Sequence, residues 1–108
     1  MNTALIQVTT DGDSVVLAGV AGKRIRVLAY TISSSTNAAV VWKSDSTAIS
    51  GAMHMATNSN IAIHLGDAWP SGGLPVLQTA TGEGLSINVT SGGSNVIGGH
   101  LTYVMVSV

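Results

Sequence analysis

Apolar side chains recur at every second position along most of this chain, and almost nowhere at the spacing of a helix. In "GLSINVT", Leu85, Ile87 and Val89 alternate with Ser86, Asn88 and Thr90. Successive side chains of a strand point to opposite faces, so this stretch has one dry face and one wet face. "NIAIHL" repeats the pattern with Ile61, Ile63 and Leu65. "HLTYVMVSV" carries Leu101, Tyr103 and Met105 on one face and Val104, Val106 and Val108 on the other, which predicts a central or covered strand. Further strands are expected at 3–9, 14–18, 24–33 and 38–44, weaker ones at 47–50 and 75–80, and a short strand or a connection at 52–57.

Between these segments lie clusters of Gly, Ser, Asn and Asp, such as "DGD" (11–13), "SSSTN" (33–37), "TGEG" (81–84) and "SGGSN" (91–95). Their chemistry is that of tight turns. Short strands with turns at roughly ten-residue spacing predict an all-β fold: a single antiparallel β-sandwich, jelly-roll-like, with about eight strands and little or no helix. No composition shift or linker divides the chain, so residues 1–108 are read as one domain. The one long irregular stretch is "LGDAWPSGGLP" (65–75).

Charge narrows the function. Only 8% of residues are charged, against about 25% in ordinary globular domains. A surface with so little charge repels its own copies weakly and favours association. Net charge is −1, so no basic field for nucleic acid is expected. The chain has no cysteine and therefore no disulfide framework. "MNTALIQVTTDGD" lacks a charged leader and a long apolar run, so neither an export signal nor a membrane span is expected. Synthesis in a cytoplasm is the simplest reading.

No catalytic constellation has a recognisable spacing. Asp11 and Asp13 flank Gly12; two carboxylates would suit a hard cation, but Asp-Gly is also ordinary hairpin-turn chemistry, and the turn reading is preferred. His54, His64 and His100 are widely separated, and "MHM" (53–55) reads as strand packing, its methionines on one face and its histidine on the other. The glycine-rich stretches lack phosphate-binding spacing, and the serines lack a nucleophile elbow. No enzyme and no cofactor are expected. Trp42 is in phase with Ala38 and Val40 and is assigned to the core. Trp69 lies in the long loop, where it would serve as an interface anchor, as a stacking platform for sugars, or as a plug against its own domain.

Three of the four basic residues, Lys23, Arg24 and Arg26, sit at the entrance of one strand, "GKRIRVLAYTIS" (22–33). Strict alternation puts Arg24, Arg26, Leu28, Tyr30 and Ile32 on one face and Ile25, Val27, Ala29, Thr31 and Ser33 on the other. The plainer reading of the cationic end is a solvated strand terminus that discourages edge pairing. The reading carried forward is that Arg24 and Arg26 meet carboxylates of a neighbouring copy or of another protein, because guanidinium forks match carboxylates.

The order "AGKRIRVLAYTIS", "TAISGAMHM" and "ATGEGLSINVTSGGSNVIGGHLTYVMV" resembles small all-β virion proteins of tailed bacteriophages, with their "GK-x-I-R-V", "G-E-x-L-x-I" and "GG-x-L-x-Y" strands. The resemblance runs from Gly22 onward. It implies a non-enzymatic structural role: a capsid decoration (cement) protein that binds the outer shell as a homo-oligomer, a trimer above all, with the major capsid protein as partner and the virion as location. The alternative it leaves is a carbohydrate- or receptor-binding module of a tail or fibre, centred on Trp69.

Overall fold

A computed structural model describes residues 2–64, 76–91 and 95–107, the side chain of His64 excepted. Its strands are β1 (Asn2–Val8), β2 (Gly12–Leu17), β3 (Lys23–Ser34), β4 (Ala38–Ser44), β5 (Thr47–Ala48), β6 (Met53–Met55), β7 (Ser59–His64), β8 (Leu77–Gln78), β9 (Leu85–Thr90) and β10 (Ile97–Ser107). Every pairing is antiparallel. No helix occurs among the described residues. The expected strand at 38–44 coincides with β4, and both doubtful segments, 52–57 and 75–80, contain short strands.

Two sheets form. The first runs β1-β10-β3-β7, with β8 also on β3; the second runs β2-β9-β4-β5, with β6 also on β4. Consecutive strands β1 to β4 alternate between the sheets, and so do β8, β9 and β10. With β5 and β8 counted as two-residue additions, the remaining eight strands have the interleaved order of a jelly roll. The "DGD" turn is therefore a corner between sheets, because β1 and β2 belong to different ones; the hairpin reading is corrected. Gly12 does adopt the left-handed φ of +100° expected of the turn.

The inner faces carry the alternating apolar residues. Ile6 and Val8 of β1, Ile97 and Leu101 of β10, and Ile25, Val27, Tyr30 and Ile32 of β3 pack against Val40 and Trp42 of β4 and Leu85, Ile87 and Val89 of β9. Trp42 is fully buried, and its ring meets Tyr30 edge-on at 5.2 Å. The Tyr30 hydroxyl donates to Met53 Sδ at 3.4 Å. Burial raises the Tyr30 pKa, and the neighbouring Trp42 indole N–H moderates the rise. That N–H nevertheless meets no acceptor at hydrogen-bond geometry.

Strand β3 does not keep one phase. Thr102 faces Ala29 and Tyr103 faces Val27, so Leu28 is the extra residue of a β-bulge. Before the bulge Ile25 and Val27 point inward; after it Tyr30, Ile32 and Ser34 do. The expectation that Arg24 and Arg26 share a face with Tyr30 and Ile32 is thus corrected. They lie on the outer face, in line with Ala29, Thr31 and Ser33. A second irregularity leaves Val16 of β2 without an opposite residue. Near the other end of β3, Gly99 of β10 (φ +153°) passes so close that a β-carbon there would overlap the Thr31 carbonyl oxygen.

Candidate interaction surface

Below the bulge, cross-strand register builds the outer face of the first sheet. Leu5, His100, Thr31 and Ala62 form one row across β1, β10, β3 and β7, and Gln7, Gly98, Ser33 and Asn60 form the next. Leu5 is 74% exposed. This floor carries no Asp, Glu, Lys or Arg. Above the bulge, Val104 stands opposite Arg26 and Val106 opposite Arg24. These four half-buried side chains form a compact patch of two valines beside two guanidiniums.

The arginines are held by a clip along the far edge of β3. Val76 N donates to Val27 O at 2.9 Å, Thr79 N to Ile25 O at 3.0 Å, and Gly82 N to Lys23 O at 2.8 Å. Thr79 Oγ1 accepts from Ile25 N at 3.0 Å. This ladder fixes Gln78 and Thr81 beside the guanidiniums. Arg26 Nε donates to Gln78 Oε1 at 2.8 Å, and Arg24 Nε donates to Thr81 Oγ1 at 3.1 Å. Among the described residues neither guanidinium forms a salt bridge. The turn that carries Thr81 packs closely: Gly19 lies against the backbone of Gly82 and Gly84, where side chains would collide.

The outer face of the second sheet has its charge neutralised. Lys43 Nζ reaches across β9 to Asp13 Oδ2 at 3.1 Å, and Asn88 Nδ2 donates to Asp13 Oδ1 at 2.6 Å. The Asn88 hydrogen bond first, and Lys43 second, hold the Asp13 carboxyl below its ordinary pKa. The other described carboxylates are also engaged. Asp11 accepts from Ser91 N at 3.0 Å and Ser91 Oγ at 2.6 Å, Asp45 accepts from Gly84 N at 2.9 Å, and Glu83 accepts from the buried Ser44 hydroxyl. Turn chemistry at "TGEG" (81–84) does not announce this role for Glu83. The clue to its role was Ser44, a hydroxyl in phase with Val40 and Trp42.

The two histidines whose side chains are described are not brought together. His54 lies on the outer face of the second sheet and His100 on that of the first, both exposed. No group of three or more His, Cys, Asp or Glu gathers among the described residues. A shallow groove of about 510 Å³ beside His54 is lined by Asn37, Ala39, Thr90 and Ser91, and its carboxylate neighbour Asp11 already binds Ser91. At the same end of the sandwich Asn95 Oδ1 gathers Ser34 Oγ, Ser35 Oγ and Thr36 N, tying β10 to the β3–β4 corner. Trp69, expected as an interface or sugar-stacking residue, lies outside the described residues.

No protein-family model, no curated protein and no solved structure matches this chain.

Proposed function

We propose that the protein is a non-enzymatic structural component of a tailed-phage virion, a decoration protein that binds the outer capsid shell as an oligomer. A trimer is favoured, with the major capsid protein as partner. The observation that carries this reading is the outer face of the first sheet: a floor without Asp, Glu, Lys or Arg side chains, ending in the valine–arginine patch. Surfaces of this kind gain from burial against another protein, since little charge has to be desolvated.

Three further features support it. A compact β-sandwich is the architecture the resemblance implies. On the second sheet's outer face Lys43 and Asp13 neutralise each other. Among the described residues the titratable groups are dispersed: Asp13 is tied to Lys43 and Asn88, Asp11 is bound to Ser91, and His54 and His100 stand on different sheets. Attachment would then rest on buried area repeated over many shell sites, with avidity supplying what one contact lacks.

The test is direct. Purified protein is mixed with capsids purified from the phage that encodes the chain and stripped of this component, then sedimented and imaged. Co-sedimentation, with added density at fixed positions of the shell, is the expected result. Density confined to the tail, or none, overturns the assignment. Analytical sedimentation of the free protein should give an oligomer; a monomer both free and on the particle removes that part.

A further inference from the structure

The valine–arginine patch carries more than a general adhesive role. Resting on the reading above, we propose that it is a docking site for an acidic, extended segment of a different protein, one carrying carboxylates at alternate positions with apolar residues beside them.

Geometry sets the spacing. Arg24 and Arg26 are two residues apart on one strand, so their side chains leave the sheet about 6–7 Å apart. A partner strand laid along β3 presents its own alternate side chains at the same interval. Val104 and Val106 stand directly opposite the arginines on β10, so apolar groups of the partner have matching contacts alongside each ion pair. Each guanidinium is already oriented. Its Nε–H is spent on Gln78 or Thr81, which leaves the outer edge with its two terminal nitrogens. That end can still grip a carboxylate with two parallel hydrogen bonds.

Charge complementarity disfavours the obvious self-contact. Four of the five carboxylates in the chain are described, and each is committed inside its own molecule: Asp11 to Ser91, Asp13 to Lys43 and Asn88, Asp45 to Gly84 N, and Glu83 to Ser44. A second copy offering one of these would have to share that carboxylate with its own partner. Asp67 lies outside the described residues. An acidic segment of another chain brings carboxylates with no such competing bonds and is the better fit. Nucleic acid fits less well, because the net charge is −1 and the valines add nothing to phosphate binding.

Two measurements decide it. In the first, the isotope-labelled full chain is titrated by NMR with a Glu-Val-Glu-Val-Glu peptide, a Gln-Val-Gln-Val-Gln peptide and an oligothymidylate of equal length. The Glu peptide should shift the Nε–H signals of Arg24 and Arg26 and the methyls of Val104 and Val106. Its affinity should fall at least about tenfold in the Arg24→Gln/Arg26→Gln variant and partly recover in Arg24→Lys/Arg26→Lys. No shift with the Glu peptide, equal binding of the Gln peptide, or tighter binding of the oligonucleotide overturns the proposal. In the second, capsid co-sedimentation compares the same variants. Attachment lost in the Gln variant supports the proposal, and attachment unchanged overturns it. A Gln variant that attaches normally but no longer self-associates makes the patch a copy-to-copy contact, which also overturns it. If even the unmutated protein fails to attach, the decoration reading fails, and the peptide titration alone judges the patch.

Discussion

Trp42 offers a sharp test of the packing argument. Its ring is fully buried between the sheets, and its indole N–H has no hydrogen-bond partner among the described residues. A buried unpaired donor costs about 1–3 kcal/mol in lost hydration. Trp42→Phe removes that donor and keeps an aromatic ring against Tyr30. It also gives up the second ring's apolar contact, worth one or two methylenes, or about 1–2 kcal/mol. The two terms oppose and nearly cancel, so Trp42→Phe should leave stability within about 1 kcal/mol of the unmutated protein. Trp42→Ala removes the whole ring and should cost about 3–5 kcal/mol. In a domain near this size each kcal/mol moves Tm by about 4–8 °C, so the alanine variant should melt at least about 12 °C lower. Thermal and urea unfolding by far-UV circular dichroism, at one fixed protein concentration, measures both. A Phe variant as unstable as the Ala variant would refute the reasoning, since it would mean that the N–H is satisfied.

Gly99→Ala should cost at least about 2 kcal/mol, because the added carbon overlaps the Thr31 carbonyl and the backbone φ is +153°. Gly51→Ala, where a β-carbon meets nothing within 4 Å, should stay within about 0.5 kcal/mol; equal losses in the two variants would remove the close-approach argument. Asp13 should titrate below the ordinary carboxylate value by carboxyl NMR, and Asn88→Ala and Lys43→Ala should each raise its midpoint. Because its folded pKa is depressed, any stability it lends is present above the ordinary carboxylate range and fades as pH falls through the folded value. A midpoint unmoved by either change would discount both contacts.

Much of the fold could be read from period two alone. The whole of β4 and the inward set Leu85, Ile87 and Val89 follow from alternation, and the two-faced apolar stretch of β10 does become an inner strand, between β1 and β3. The bulge at Leu28 was hidden because Val27, Leu28 and Ala29 are all apolar, so no polar residue marks the change of phase. That one step moved both arginines from an assumed half-apolar face to the outer surface. The corner at Gly12 was misread for a different reason: turn chemistry records a reversal of the backbone and is silent about which sheet receives the next strand. The surface was least legible. Its character depends on pairings between residues far apart in sequence, such as Arg24 with Thr81 and Lys43 with Asp13, which no local pattern announces.

The interleaved strand order has a consequence for how the molecule is made. In the first sheet β10 separates β1 from β3, and in the second β9 separates β2 from β4. A nascent chain that has emerged only as far as β8 therefore holds four long strands without the neighbours that bridge them. Neither sheet can close until β9 and β10 have been synthesised. Loop-closure entropy must be met before these distant pairings return any stability, which places folding in the slow range of about milliseconds to seconds. Until then, apolar strand edges stand open to other nascent chains on the same message. Yield in the cell should accordingly depend on synthesis rate and temperature more steeply than the stability of the finished sandwich alone would imply.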